Sequence, residues 1–272
     1  MERRRYALRL CYDGGRFRGF QRQPGLPTVE ESLRAALARF GLNPHLEVAA
    51  RTDAGVHALG QVVTFAARAD IDPAELRRAV NGATPEGIAC IDAWRAPPGF
   101  HARASARSRT YVYLVGLPPP PGLERYAWTL PDDRAFPGVR SDRLDVTAMG
   151  SALASAVGEH DFAGFARPGE QRGTVRTLLR AEAAEASWAP LYALVLEGRG
   201  FLRAQVRNLV GTAVAIGLGL APPSRIEELL LERGRYRGVR APGWGLTLAA
   251  VSYPSGASVQ GMVAPSESWA DR

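Results

Sequence analysis

The chain has 272 residues and a net charge of +7, with 34 basic residues against 27 acidic ones. Every basic residue is an arginine, which excludes Walker-type phosphate loops, Schiff-base lysine enzymes and protein kinases, because each needs a lysine. The two cysteines and four histidines show no metal-ligand spacing. We therefore expect neither a metal nor a cofactor.

Positive charge is concentrated in the first part of the chain. Residues 1–110 hold 17 arginines against 11 acids, whereas residues 111–272 hold 17 against 16. A basic half favours a polyanionic partner such as nucleic acid. No apolar run reaches the roughly 20 residues of a membrane span, and the N-terminus lacks the apolar region of a signal peptide. The expected location is the cytoplasm, with no membrane contact.

The first half alternates predicted strands and helices. Period-two alternation predicts strands, and apolar residues at 3.6 spacing after Thr28 and after Asp72 predict helices. In chain order the predictions are a strand at 6–12, a helix at 29–40, strands at 46–51 and 61–67, a helix at 73–80 and a strand at 88–94.

The second half repeats this order. The predictions are a strand at 109–115, a helix at 145–157, strands at 175–186 and 191–197, helices at 201–218 and 225–232, and a strand at 245–252. Each half is thus β-α-β-β-α-β, the ferredoxin-like arrangement of an α+β protein. We expect domains at 1–104 and 105–253, a surface insertion at 117–144 and a flexible tail at 254–272.

The segment at residues 51–57, Arg-Thr-Asp-Ala-Gly-Val-His, lies between two predicted strands. Its aspartate, Asp53, can face a cleft, or it can merely shape a turn. Arg51 lies two residues earlier and on an extended strand projects to the same side.

Two arginines, Arg203 and Arg207, are four residues apart on the predicted helix at 201–218. An arginine on an apolar helix is costly unless it meets a carboxylate or a ligand, or extends to solvent from the helix end. The last alternative suits Arg203 better than Arg207.

Seven motifs spread over nearly the whole chain are 12–14, 19–23, 50–57, 100–103 with 109–113, 158–162, 201–208 and 245–246. In this order and spacing they resemble the tRNA pseudouridine synthase A family. The sequence departs from the family pattern at Phe20, Ala50 and Ala204, which stand in place of tryptophan, glycine, and histidine or asparagine.

This resemblance implies a pseudouridine synthase fold, with mainly antiparallel sheets meeting at a central cleft. It implies isomerisation of uridine to pseudouridine at tRNA positions 38, 39 and 40 in the anticodon stem-loop. Asp53 matches the catalytic aspartate, and attack on C1′, attack on C6 and removal of the C2′ proton all stay open. A homodimer that binds tRNA is also implied.

The same resemblance assigns three substrate-binding residues. Tyr111 matches the active-site tyrosine of the family, whose ring can stack on the flipped uracil and whose hydroxyl can take part in proton transfer; without the resemblance, a strand tyrosine packed in the core is the alternative. Arg51 resembles the arginine that fills or guards the space left by the base, and Arg207 the one that pairs with the aspartate. Arg22 and Arg103 are candidates for phosphate contacts, or else solvated surface residues.

Two other functions are weighed against this one. A non-catalytic RNA-binding protein of ferredoxin-like fold would carry exposed aromatics in an RNP pattern, which the sequence lacks. A glycoside hydrolase would need a second acid to act with Asp53, and no neighbouring motif supplies one.

Overall fold

The computed structural model describes residues 3–166, 173–186, 190–232 and 236–254. The chain divides into two units, one formed by residues up to 109 together with 247–254, the other by residues from 110 to 246. The predicted division followed residue 104 and placed the last strand in the second domain. Thr247 and Leu248 instead pair with a strand of the first unit, which draws the last strand into that unit.

The first unit contains two helices and most of the predicted strands. Its strands and helices are β1 (Arg4–Tyr12), α1 (Val29–Arg39), β2 (Glu47–Val48), β3 (His57–Ala67), α2 (Pro73–Ala83), β4 (Ile88–Ala96) and, from Thr247, β10 (Leu246–Ser252). The sheet order is β4-β1-β3-β10, with β2 paired to β3. The pairs β1–β3, β1–β4 and β2–β3 are antiparallel, and β10–β3 is parallel.

Both helices of this unit begin where the sequence predicts. The Thr28 side chain accepts a hydrogen bond from the Glu31 backbone N–H, and Asp72 does the same for Glu75. These caps satisfy amide groups that have no partner inside the helix. Buried residues of α1, α2 and β1 form the core of the unit, among them Tyr6, Leu8, Leu10, Leu33, Leu37, Leu76 and Val80.

The described part of the second unit contains five strands and three α-helices. Its elements are β5 (Ser108–Gly116, from Thr110), β6 (Trp128–Thr129), α3 (Val146–Ala154), β7 (Gly158–Asp161), β8 (Val175–Glu185), β9 (Leu191–Gly198), α4 (Gln205–Gly217) and α5 (Arg225–Leu231). The sheet order is β5-β9-β8-β7, with β6 paired to β5. The pairs β7–β8 and β8–β9 are antiparallel, so the class is α+β as predicted.

Helix α4 begins four residues later than its apolar pattern predicted. Ala204, the residue before it, has φ +63°, a left-handed conformation that does not belong to an α-helix. Arg203 therefore precedes the helix, and the prediction that Arg203 and Arg207 share one helical face is wrong.

Residues 117–144 differ from the expected surface insertion. Trp128, Leu130 and Phe136 are buried, and the rings of Trp128 and Phe136 stack with centroids 5.6 Å apart. The Trp128 indole N–H donates to Asp132 at 2.8 Å. The segment therefore carries a small core of its own. The predicted tail lies outside the described residues, apart from Pro254.

Candidate active site

Asp53 lies in the loop that joins β2 to β3 and is half-buried, whereas Arg51 in the same loop is exposed. The strand predicted at 46–51 is only Glu47–Val48. Arg51 is therefore in a loop, and the argument that strand alternation places it beside Asp53 is wrong.

A buried hydrogen-bond network fixes the residues that precede Asp53. The Tyr12 hydroxyl lies 2.8 Å from Thr52 Oγ1, and the Gln61 side-chain amide donates to it at 3.2 Å. The same amide donates to the Ala50 carbonyl at 2.7 Å, and its oxygen accepts from the Ala50 N–H at 3.3 Å. Burial raises the pKa of Tyr12 to about 12, so its hydroxyl stays neutral and available as a donor.

This network accounts for one departure from the family motif. Ala50 is bound through its backbone N–H and carbonyl, not through its side chain. Its φ is not in the left-handed region, where glycine would be required. Alanine therefore fits at this position without strain.

On its other side the Asp53 loop packs against the segment after β1. The backbone N–H of Phe20 donates to the Thr52 carbonyl at 3.1 Å. A Cβ added at Gly14 would lie 2.0 Å from the Val56 carbonyl oxygen, and one added at Gly19, which has φ +95°, would lie 2.9 Å from the Thr52 oxygen. Only residues without side chains allow this approach. The main chain of the segment after β1 thus lies directly against the aspartate loop.

His57, the last residue of the motif, is buried and serves this packing. Its Nδ1 accepts from the Gly14 backbone N–H at 3.1 Å, which fixes the neutral ring with its proton on Nε2. Asp13 Oδ1 lies 3.3 Å from the same Nδ1, and in this tautomer that contact is not a hydrogen bond. We assign His57 a structural role in joining β3 to the turn after β1.

Arg109, at the start of β5, holds the beginning of the same loop. Its guanidinium donates to the Ala49 carbonyl at 2.9 and 3.2 Å and to the Arg103 carbonyl at 2.7 Å. Arg103 itself is exposed, as a phosphate contact would be. Arg22 is also exposed and pairs with Glu31 at 2.9 Å.

Tyr111 and Arg207 belong to the second unit. Tyr111, on β5, is buried, and Phe201 meets its ring edge-on with centroids 5.3 Å apart. This contact fixes the plane of the tyrosine ring. Aromatic packing thus holds the ring in one orientation.

Arg207, on α4, is half-buried and joined to Ala241 by two hydrogen bonds. Its Nε donates to the Ala241 carbonyl at 2.7 Å, and its own carbonyl accepts from the Ala241 N–H at 3.1 Å. The guanidinium is therefore held in place by the backbone of a neighbouring loop. Its charge also acts on Tyr113: burial raises the pKa of Tyr113 well above its usual value, and the charge of Arg207 partly opposes this shift.

Comparison with known proteins identifies the family. A family model described as tRNA pseudouridine synthase matches residues 11–103 and 152–254. A tRNA pseudouridine synthase A of Frankia casuarinae is 41% identical over 92% of this chain and 89% of its own length. Those of Roseiflexus castenholzii (38%; 92% and 91%) and Neisseria gonorrhoeae (40%; 93% and 93%) are similar. The chain belongs to the tRNA pseudouridine synthase family. It is an isomerase, and the family converts uridine to pseudouridine in tRNA.

Sequence reasoning missed several residues that shape the Asp53 loop. It took Tyr12 only as part of a motif and gave no role to Gln61 or Arg109. Their roles depend on contacts between residues 40 to 60 positions apart, which neither spacing nor periodicity shows. A buried glutamine inside an apolar strand was the one available signal, because a buried amide requires partners.

No helix in the described ranges is long and apolar enough to cross a membrane.

Proposed function

We propose that this enzyme forms pseudouridine at positions 38, 39 and 40 of the tRNA anticodon stem-loop, with Asp53 as its catalytic group. The proposal extends family membership to particular nucleotides and to one carboxylate. Asp53 occupies the third position of the Arg-Thr-Asp-Ala-Gly-Val-His segment that the resemblance assigns to catalysis.

The reaction is an isomerisation and needs no net input of electrons or atoms. The N1–C1′ glycosidic bond breaks, the base turns, a C5–C1′ bond forms, C5 loses a proton and N1 ends protonated. A carboxylate can attack C1′, attack C6 or remove the C2′ proton, and each route begins from the anion. A single positioned carboxylate is therefore sufficient chemistry for the site.

The observation that carries the proposal is how tightly the Asp53 loop is held. Tyr12 and Gln61 bond to the residues before it, and a Cβ added at Gly14 or Gly19 would overlap its backbone. A loop that only shaped a turn would not require contacts from β1, β3 and the segment after β1 to fix it. Catalytic groups gain most from such positioning, since reactive geometry is fixed before substrate binds.

We assign the three substrate-binding residues as follows. Tyr111 stacks on the extruded uracil, in keeping with the ring orientation that Phe201 fixes. Arg51, exposed in the Asp53 loop, fills the space that the base leaves. Arg207 pairs with the catalytic carboxylate, and the Ala241 carbonyl orients its guanidinium for that task.

The remaining proposals concern organisation. The element order β1-α1-β2-β3-α2-β4 and the sheet order β4-β1-β3-β2 support a ferredoxin-like first half, and we propose the same plan for the second. We also propose that the enzyme acts as a homodimer on tRNA and works in the cytoplasm, where its substrate is processed.

The test uses purified enzyme with a tRNA transcript carrying uridine at positions 38–40, with chelator present. Carbodiimide labelling read by reverse transcription should locate pseudouridine at these positions. Asp53→Asn should reduce the rate by at least about 10³-fold while tRNA affinity stays within about twofold of the wild type. An Asp53→Asn enzyme that still works, or modification at other positions only, contradicts the proposal. Binding without modification by the wild type would favour the non-catalytic alternative.

A further inference from the structure

The loop at residues 239–245, within the second unit, is anchored through its backbone at four positions in its length. Tyr236 donates its hydroxyl to the Val239 carbonyl at 2.9 Å, and Tyr113 donates to the Pro242 carbonyl at 3.0 Å. The Gly245 carbonyl accepts from the Leu114 N–H of β5 at 3.0 Å. Together with the paired bonds between Ala241 and Arg207, these contacts leave the loop backbone little freedom.

A glycine of α4 lets this loop lie directly on the helix. A Cβ added at Gly211 would be 1.8 Å from the Val239 carbonyl oxygen and 3.2 Å from the Ala241 nitrogen. The loop backbone therefore touches the helix backbone with no side chain between them. Such a contact fixes the distance between the loop backbone and α4.

Arg240 is exposed, yet a buried amide orients it. Its Nε donates to the Asn208 side-chain oxygen at 3.1 Å. Asn208 is fully buried and donates its own amide to the Phe165 carbonyl at 2.7 Å, which fixes the orientation of that amide. An exposed arginine gains little stability from being ordered, because the loss of side-chain entropy opposes the bond. A preorganised guanidinium at the surface instead suits recognition of a phosphate.

Trp244 is presented by the same loop and is 44% exposed. The turn that carries it is closed by a bond from the Leu246 N–H to the Gly243 carbonyl, and Gly245 next to it packs on the Tyr113 ring. A tryptophan face held at the surface of a rigid loop is a platform on which an unpaired base can stack. The loop thus offers the two groups that bind single-stranded nucleic acid, a cation and an aromatic face.

We propose that the 239–245 loop is an RNA-contact surface, in which Arg240 binds a backbone phosphate of the tRNA and Trp244 stacks on an unpaired base. This inference rests on the proposed function, because it names a further contact with the same substrate. In this proposal the two residues contribute to the affinity for tRNA and take no part in the chemical step.

The test measures binding of a tRNA transcript and rates of pseudouridine formation for Arg240→Ala and Trp244→Ala. Arg240→Ala should raise the Kd about fivefold or more and lower the slope of log Kd against log salt by about one, because one phosphate contact is lost. Trp244→Ala should raise the Kd by at least about fivefold, and Trp244→Phe should restore it to within about twofold. KM should rise in parallel while kcat changes by less than about twofold.

Arg237→Ala is the matched control, since Arg237 is exposed and lies only three residues before Arg240. It removes the same charge and should change the Kd by less than about twofold. Equal effects of Arg237→Ala and Arg240→Ala, or wild-type affinity in both Arg240→Ala and Trp244→Ala, would overturn the inference. If Arg240→Ala lowers the melting temperature, Arg240→Gln, which keeps a donor toward Asn208, replaces it.

The same measurements separate this inference from the proposed function. A wild type that forms no pseudouridine at positions 38–40 contradicts the proposed function. An active wild type whose affinity is unaffected by the loop substitutions contradicts only the role of the loop.

Discussion

The Tyr12 hydroxyl lies 2.8 Å from Thr52 Oγ1, so the residue that precedes Asp53 is hydrogen-bonded to the last residue of β1. The first strand of the sheet and the Asp53 loop are 40 residues apart in sequence and are joined by this buried contact. Gln61, from β3, completes the connection through Tyr12 and Ala50. The position of the Asp53 loop therefore depends on side chains from two strands outside it, β1 and β3.

Tyr12→Phe removes the hydroxyl and should lower kcat about tenfold with little change in KM, because the Asp53 loop loses a fixed point. The free energy of unfolding should fall by about 1–3 kcal/mol, since Gln61 and Thr52 lose a buried partner. Steady-state kinetics and urea denaturation measure the two effects.

Tyr6→Phe is the control for this substitution. The Tyr6 hydroxyl also has two hydrogen bonds, accepting from Ile71 N–H at 2.8 Å and donating to the Ala69 carbonyl at 3.1 Å, but these partners lie in the loop between β3 and α2, away from Asp53 in sequence. It should lose similar stability and keep its kcat. A parallel loss of kcat in both variants would show that Tyr12 acts only through stability.

Gly14→Ala should displace the Asp53 loop. The added Cβ would lie 2.0 Å from the Val56 carbonyl oxygen, a backbone atom that can only move with its loop. We expect a loss of stability of about 1–3 kcal/mol and a kcat lower by at least about tenfold. Melting temperature and initial rates measure these changes.

Gly82→Ala, near the end of α2, is the contrasting substitution. Nothing lies within 4 Å of a Cβ added there. It should stabilise the protein by up to about 1 kcal/mol and leave the rate unchanged, since alanine is the better helix former. A Gly14→Ala enzyme as active as Gly82→Ala would contradict the close-packing argument.

Ala204→Gly should stabilise the protein by about 1 kcal/mol. Ala204 has φ +63°, which is strained for a residue with a Cβ and is relieved in glycine. Ala204→Asn should give part of this gain, since asparagine tolerates the left-handed region better than alanine. Thermal unfolding measures each change.

Ala213→Gly, inside α4, is the contrasting substitution and should lower the stability of the protein. Ala213 is buried within α4, so the change should cost at least about 1 kcal/mol. If both glycine variants destabilise, the left-handed start of α4 is not the source of strain that we infer.

Alkaline pH should destabilise the enzyme through its buried tyrosines. The pKa of Tyr12 is raised from 10.0 to about 12 by burial. Its neutral hydroxyl therefore contributes fully to the free energy of unfolding below pH 10, and this contribution is lost as pH rises toward 12. Above pH 10 the unfolded chain releases the proton first, and the free energy of unfolding should fall by up to about 1.4 kcal/mol per pH unit from this residue.

Denaturation at pH 9, 10 and 11 measures that slope. Burial raises the pKa of Tyr113 and Tyr236 as well, and that of Cys90 from 9.0 to about 12, so the wild type should decline more steeply than Tyr12 alone requires. Tyr12→Phe should decline less steeply than the wild type. Identical slopes would exclude a contribution from Tyr12.

The elements that local chemistry determines were predictable from the sequence. The caps at Thr28 and Asp72 and the alternation in β1 depend on neighbours in sequence, and the structure confirms these elements close to their predicted positions. The start of α4 was wrong because the apolar pattern continues through Phe201 and Leu202, while the left-handed turn at Ala204 depends on backbone geometry that alanine does not signal. Likewise, the tertiary placement of the last strand with the first unit follows from pairing with β3.

The candidate site was predictable only in part. The resemblance identified Asp53 because the motif is contiguous, and it identified Tyr111 and Arg207 through their own motifs. The contacts that hold the Asp53 loop and Arg207, from Gln61, Arg109 and Ala241, depend on the folded chain. Backbone carbonyls accept many of these bonds, and a carbonyl leaves no trace in the amino-acid sequence.

Gly211 is a further structural determinant that its chemical groups do not reveal. Any larger residue at this position would push the 239–245 loop off α4, because a Cβ there would overlap the Val239 carbonyl oxygen. A survey of variants that judged positions by their chemical groups would score it as silent. Its contribution is the space it leaves unfilled, so that the placement of a whole loop depends on a position with no side chain.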